Sequence, residues 1–267
     1  MMKYDRKVVI FIDILGSREM RDFSKKYEIH SLFHSSIRES QERQNSDALS
    51  HVVYDRKLFS FSDCAYIVYS FKEGLEKDRQ DERKLIQVAL YNTSILLTKI
   101  MSKGYLVRGG ATFGDAFVDD DGCFGPAVDR AYEIESKKAI YPRVMLDNEL
   151  GQIQYQFETE IQADPNLMFR NKMTRNRVAR IANKLSDEYF LNTFYHLEME
   201  RTLSYDGEEI SIDTIKEVLL NKIETDLATC QDERVIQKLD WFKEYVTNLS
   251  CCLKDEQVTF SFTTINA

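Results

Sequence analysis

The run Val8-Val9-Ile10-Phe11-Ile12-Asp13-Ile14-Leu15-Gly16-Ser17 decides the fold. Five consecutive apolar residues, rich in β-branched side chains, read as a buried strand, and they deliver one carboxylate, Asp13, to the strand's end. Gly16 then permits a sharp turn. Ser17, ahead of Arg18-Glu19-Met20, reads as the cap of a helix whose first amides face the same point as Asp13. A strand ending in a carboxylate beside a helix N-terminus suits a hard cation together with a phosphate.

Working outward, residues 17 to about 45 are charged and apolar at helical spacing, with Met20, Phe23, Tyr27, Leu32 and Phe33 as the expected buried stripe. From residue 52 the pattern alternates and breaks at Ser62-Asp63, which predicts a hairpin with strands over Lys57–Phe61 and Ala65–Ser70 and Asp63 at its tip. Arg83–Lys103 reads as a strong helix closed by Gly104. Tyr105–Phe113 reads as a strand interrupted at Gly109-Gly110. A turn follows at Asp119–Gly122, then a helix opened by Pro126 that runs to about Lys138, then a strand over Tyr141–Leu146. This alternation predicts an α/β sandwich, a ferredoxin-like mixed or antiparallel sheet with helices on one face. Beyond Leu150 the expected elements are a helix near Thr174–Lys184, a strand at Tyr189–Tyr195, and long helices over Ser211–Thr229 and Glu233–Leu249. The last carries Trp241, Phe242 and Tyr245, which are expected to pack on the core or extend a dimer.

The 267 residues include 43% hydrophobic and 12% aromatic side chains, only three prolines and ten glycines, and no linker-like tract. One elaborated domain is expected over 1–267, with a core over about 5–150 and a helical C-terminal elaboration over about 151–267. The net charge of −8 argues against generic binding to nucleic acid or to an anionic membrane. No apolar run approaches a membrane span and no secretory segment is visible, so a cytoplasmic protein is expected. Five cysteines without zinc-like spacing fit a reduced state. Of the four histidines only His30 and His34 stand at i, i+4, without acidic or thiol partners, and they are not read as metal ligands.

Taken singly, Asp13 and Asp63 are ordinary turn carboxylates. Together they are what a two-metal phosphoryl-transfer site needs, since each can bridge or cap Mg²⁺ or Mn²⁺ ions held about 3.5–4 Å apart. The ordered set Phe11-x-Asp13-Ile14-x-Gly16, Ser62-Asp63, Arg108-Gly109-Gly110 and Gly125-x-x-Val128-x-x-Ala131 resembles the class III nucleotide cyclase catalytic domain over roughly Lys7–Leu146. Within that superfamily, Ile12-Asp13-Ile14-Leu15-Gly16, Phe61-Ser62-Asp63, Arg108-Gly109-Gly110 and Phe124-Gly125-Pro126-Ala127 look most like the pyrimidine cyclases of the bacterial Pycsar antiphage system. The resemblance implies a cytoplasmic homodimer that converts UTP or CTP to the 3′,5′-cyclic monophosphate and pyrophosphate, with the product activating a separate effector protein. It implies that Asp13, Asp63 and the backbone carbonyl of Ile14 hold two divalent metal ions, Mn²⁺ or Mg²⁺. It implies too that the amides of Leu15, Gly16, Ser17 and Arg18 bind the triphosphate, and that Arg108 is a nucleotide or interface residue. Arg108 read without it is an ordinary surface arginine, and Gly109 and Gly110 are close-packing positions.

The chain departs from the purine cyclases in ways that matter. Where those place an asparagine and, four residues on, the transition-state arginine, this chain has Asp129 and Glu133. Arg130 is the neighbouring cation and a candidate substrate contact, although it points about 100° away round the helix. A second source of positive charge is Phe169–Lys184, with Arg170, Lys172, Arg175, Arg177, Arg180 and Lys184 and no acidic residue; it reads as a solvated helix face or as an electrostatic funnel. Where adenine-specific relatives read the purine edge, the chain has Phe59 and Gly122, neither able to hydrogen-bond to a base through its side chain. Phe59 is either a pocket wall favouring a pyrimidine or a core residue of an alternating strand. UTP is favoured over CTP only because uridylate cyclases are the commoner kind in the family. A module of the same fold that binds nucleotide or dimerises without chemistry is the alternative of another class.

Overall fold

The computed structural model describes residues 3–17, 20–44, 53–164, 166, 179–200, 202–205 and 207–251. Its centre is β1 (Asp5–Ile14), flanked by β3 (Cys64–Phe71) and β4 (Val107–Val118), both antiparallel to it. Strand β2 (Tyr54–Phe61) forms a two-residue hairpin with β3, and β6 (Val144–Leu146) pairs parallel to β4. The sheet continues through β8 (Glu188–Leu191) to β7 (Ala182–Leu185), giving the order β2-β3-β1-β4-β6-β8-β7. The helix α1 (Phe23–Gln44) joins β1 to β2, and α2 (Glu82–Ser102) joins β3 to β4. The β2-β3-β1-β4 part is therefore the expected ferredoxin-like βαββαβ arrangement.

Helices cover both faces of this sheet, not one. Val8, Ile10, Ile12 and Ile14 point into the main core with Phe33 of α1 and Leu85, Ile86 and Leu97 of α2. Val9 and Phe11 point the other way, beneath Ala127, Val128 and Ala131 of α3 (Pro126–Lys138). Strict alternation would have left one face wet; the unbroken apolar run of β1 requires cover on both. Helix α3 begins where the sequence places it, with Pro126 at the first helical position behind Gly125.

Several expectations are corrected. Phe23 and Tyr27 are 78% and 60% exposed and stack on each other, whereas Ile29, Leu32 and Phe33 are buried. At 100° per residue Phe23 and Tyr27 fall about 120–160° from the face that Ile29, Leu32 and Phe33 define. Strand β4 runs through Gly109-Gly110 without interruption. An added Cβ at Gly110 would lie 2.2 Å from the Ala131 carbonyl oxygen, so the glycine seats α3 on the strand instead of breaking it. The expected strand at Tyr141–Leu146 is confined to Val144–Leu146, and the one at Tyr189–Tyr195 ends at Leu191, with α5 (Tyr195–Glu200) beginning where it was to finish. Residues 182–184, expected to be helical, are strand β7, and 174–178 lie outside the described residues.

Besides α5, the elements α4 (Asn148–Ala163) and the hairpin of β9 (Thr202–Tyr205) and β10 (Glu208–Ser211) have no counterpart in the sequence reading. The closing pair α6 (Ile212–Thr229) and α7 (Glu233–Thr247) matches expectation, and it shares the main core through Leu219, Ile223 and Phe242. No helix among the described residues is long and apolar enough to cross a membrane.

Candidate active site

The site is built where β1 stops. Asp13 lies on the α3 face, opposite Cys64 on β3 and Arg108 on β4. The next amide, that of Ile14, donates to the Asp63 carbonyl at 3.0 Å, and that of Leu15 donates to the Leu106 carbonyl at 2.8 Å. Gly16 then turns the chain at φ +76°. The Ile14 hydrogen bond pins the tip of the β2–β3 hairpin, whose Ser62 has φ +56°, against the end of β1. This brings the backbones of Asp13 and Asp63 to the same end of the sheet.

Ser17 does not cap α1, which starts only at Phe23, after Asp22 accepts from the Ser24 amide at 2.8 Å. The Ser17 hydroxyl, buried, donates instead to the Asp63 carboxylate. Burial works to raise the Asp63 pKa, but hydrogen bonds from Ser17, Ser62 and its own amide, with the charge of Lys26, hold the carboxyl below its ordinary range. The Leu15 amide is spent on Leu106, which removes it from the expected phosphate-binding set. Gly16 and Ser17 stay beside Asp63, the Ile14 carbonyl stays at the strand end, and Arg18 lies outside the described residues.

Arg108 reaches both ways across this face. Its Nη2 donates to Asp13 Oδ2 at 3.4 Å, and its Nε is 2.6 Å from Glu135 Oε1 on the last turns of α3. The second contact is an ion pair whose N–H is not directed at the oxygen, so it does not count as a hydrogen bond. Glu135 is 4% exposed; burial pushes its carboxyl up, the Arg108 charge opposes this, and the Asp13 charge adds to it. The thiol of Cys64 is raised by burial and then by Asp63, Asp13 and Glu135, which keeps it protonated and a poor ligand.

The other candidates divide. Arg130 Nε donates to Asp147 at 3.0 Å and its Nη1 is 3.7 Å from Glu133, so it belongs to an ion-pair group on the outer side of α3. Glu133 is further paired with Lys137 at 2.8 Å. Phe59 packs, half-buried, against the smaller apolar cluster with Tyr66, Val68 and Cys123. The β4–β5 hairpin, closed by β5 (Cys123–Phe124), folds back over that cluster. Lys57 Nζ meets Asp120 Oδ1 at 2.7 Å there, which brings the Gly122 turn near Phe59. Of the basic stretch, Arg180 is committed to Tyr155 and Thr159 of α4, and Lys184 lies over Tyr189. Arg170, Lys172, Arg175 and Arg177 lie outside the described residues.

Glu135 was missed by sequence reasoning. The available signal was its spacing: Ala127, Ala131 and Glu135 share one helix face, and an acid in line with two alanines over a Gly-Gly pair has to meet a cation in the sheet.

Among the described residues no group of three His, Cys, Asp or Glu side chains gathers as a metal site. The pair of carboxylate donors fits Mg²⁺ or Mn²⁺ all the same, because such ions are held by one or two carboxylates with waters and substrate phosphates completing the shell.

No protein-family model matches the sequence, and a search of curated proteins finds no match. Among solved structures the fold is similar to a guanylyl cyclase, Cya2, at 12% identity over 57% of this chain and 80% of that one, with a TM-score of 0.35. It is similar to a bacterial light-regulated adenylyl cyclase at 9% identity over 83% of this chain and 59% of that one, TM-score 0.40. A third neighbour is an adenylate/guanylate cyclase/hydrolase from Silicibacter pomeroyi, at 12% identity over 71% and 96% of the two chains, TM-score 0.36. These are partial likenesses, at identities and scores too low to carry an assignment.

Proposed function

We propose that this protein is a nucleotide cyclase that uses two divalent ions to close a nucleoside triphosphate into its 3′,5′-cyclic monophosphate with release of pyrophosphate. The observation that carries the reading is the hydrogen bond from the Ile14 amide to the Asp63 carbonyl, 3.0 Å, which joins two carboxylates from distant parts of the chain at one end of the sheet. Asp13, Asp63 and the Ile14 carbonyl would hold the metals, which when bound supply charge neutralisation for the triphosphate and acidify the attacking 3′-hydroxyl. Ser17 fixes the orientation of Asp63. Arg108 offers the cation beside Asp13, the place left open by the acidic Asp129 and Glu133.

The finer reading is a uridylate cyclase acting as a homodimer, in the manner of the Pycsar system, with its product addressed to an effector in antiphage defence. Cytidylate cyclisation is the close alternative. The half-buried Phe59 beside the Gly122 turn supports a pocket without purine-edge donors.

Incubation of the protein with each of the four triphosphates and Mn²⁺, products resolved by mass, tests this. Cyclic UMP is expected to dominate; cyclic CMP would revise only the choice of UTP, and cyclic AMP or GMP would refute the pocket argument. Absence of pyrophosphate release with every nucleotide would leave a nucleotide-binding or dimerising module. Asp13→Ala and Asp63→Ala should each reduce turnover to background. Arg108 lies beside Asp13 of its own chain, so mixing Asp63→Ala with Arg108→Ala subunits should not restore activity.

A further inference from the structure

The buried carboxylate of Glu135 has no part in the reading above. Among the described residues its one close cation is Arg108, at 2.6 Å, while the same guanidinium approaches Asp13 only to 3.4 Å. The shorter contact is a close ion pair without a directed N–H, and the longer is a hydrogen bond stretched beyond the about 2.7–2.9 Å of a strong charge-assisted one, so Arg108 lies nearer Glu135 and holds Asp13 loosely. The asymmetry is built into the backbone. Gly110 lets the last turns of α3 settle on β4 at a separation no side chain would permit, and that seat carries Glu135 to the Arg108 side chain. A buried carboxylate is costly unless paired, so the arrangement is maintained by the pairing itself.

We infer that Glu135 is a positioning residue that keeps the Arg108 guanidinium from closing on Asp13, and so leaves that carboxylate available to a divalent cation. Arg108 and the metal compete for one carboxylate, since a guanidinium fork and an ion cannot both take its oxygens at full strength. Glu135 tips the competition toward the metal by holding one side of the fork. The inference rests on Asp13 being a metal ligand, as proposed above.

The test is equilibrium binding of Mn²⁺ to the full chain without nucleotide, read as free Mn²⁺ by electron paramagnetic resonance. Glu135→Gln should weaken binding about tenfold, the usual range for loss of a supporting partner at a metal site. Arg108→Ala should bind at least as tightly as wild type. The double variant Arg108→Ala/Glu135→Gln, which removes the buried charges together and guards against misfolding of either single variant, should match Arg108→Ala. Wild-type affinity in Glu135→Gln would overturn the inference. So would an equal loss on the Arg108→Ala background, which would show Glu135 acting through its own charge. Weaker binding by folded Arg108→Ala or by the double variant would overturn it too. If wild type binds Mn²⁺ no better than Asp13→Ala, the metal-site reading itself fails; if it binds better and Glu135→Gln is unchanged, only the role of Glu135 fails.

Discussion

Gly110→Ala and Gly114→Ala make a controlled pair, because both glycines lie on β4 and face the same helix, and the structure predicts opposite outcomes. At Gly110 an added Cβ would lie 2.2 Å from the Ala131 carbonyl oxygen, 2.8 Å from the Glu135 amide nitrogen and 2.8 Å from the Ile134 Cβ. Two of those atoms are helix backbone, which has no rotamer to change, so α3 has to lift from the sheet. Overpacking of a tight core costs about 1–3 kcal/mol, and a rigid neighbour puts this case at the upper end, near 3 kcal/mol. For a chain of this size that is a fall of roughly 6–12 °C in Tm. At Gly114 the nearest atom is the Ala127 Cβ at 3.6 Å, an ordinary contact, and the loss of chain entropy in the unfolded state favours alanine by about 0.4–1 kcal/mol. Urea titration followed by the emission of Trp241, which stacks between Tyr141 and Tyr245, reads both variants. Wild-type stability in Gly110→Ala, or an equal loss in Gly114→Ala, would refute the claim that the helix seat depends on this one missing side chain.

Ser17→Ala removes the hydroxyl that orients Asp63 and should weaken Mn²⁺ binding about tenfold by calorimetry, with the fold retained. Glu158 of α4 accepts from the Ile181 and Ala182 amides at 2.7 and 3.2 Å, yet burial lifts its carboxyl to about 7. A folded-state pKa raised from 4.5 contributes stability that is complete below about pH 4.5 and lost as pH rises to 7, of order 3 kcal/mol. The stability of Glu158→Gln minus wild type, from denaturant titrations at pH 5 to 8, should therefore increase with pH; a flat difference would contradict the buried charge. His196, buried against the Tyr91 carbonyl, is lowered to about 4, so its contribution is present above pH 6.5 and lost as pH falls toward 4. The difference between His196→Gln and wild type should rise as the solution is acidified, the opposite slope to Glu158→Gln.

What was legible in the sequence was local. The Ser62-Asp63 break in an alternating run fixed the hairpin to within three residues, and Gly125-Pro126 marked the start of α3. Signals that depend on phase between distant elements were not legible. Phe23 and Tyr27 have helical spacing with each other, but which face of α1 meets the sheet is set by Ile29, Leu32 and Phe33. Gly109-Gly110 looked like an interruption because a strand gives no local reason for two glycines; the reason for Gly110 lies on α3, and the reason for Gly109 on the neighbouring strands, at the Phe11 carbonyl oxygen and Val144. The same holds for Ser17, whose position after Gly16 suits a helix cap and whose hydroxyl is taken by a residue 46 positions away. Past Leu150 the strands are four residues or fewer, too short for periodicity to declare itself.

The departure at Asp129 and Glu133 acquires a physical sense from these contacts. Two acidic residues facing a triphosphate would repel it, but Glu133 is paired with Lys137 and Arg130, and Arg130 in turn with Asp147. Glu133, Lys137, Arg130 and Asp147 thus form a set of mutually satisfied charges with little left to offer a substrate, while Asp129 stands exposed beside them. Among the described residues, a cation that faces Asp13 comes from the sheet, one strand away, and is held by the inward side of the same helix through Glu135. An arginine on a strand is fixed by two neighbouring strands and cannot swing with a helix. Its guanidinium rests on the carboxylate that is proposed to hold the metal, so under that proposal positive charge for the transition state and negative charge for the metal would be drawn from one ion-pair line, Asp13-Arg108-Glu135. Metal affinity and substrate charge stabilisation would then be coupled: a substitution that tightens Arg108 on Asp13 would weaken the metal, and one that frees Arg108 altogether would remove the cation from the phosphate. Glu135, the one member of the line that touches neither, sets the balance between them.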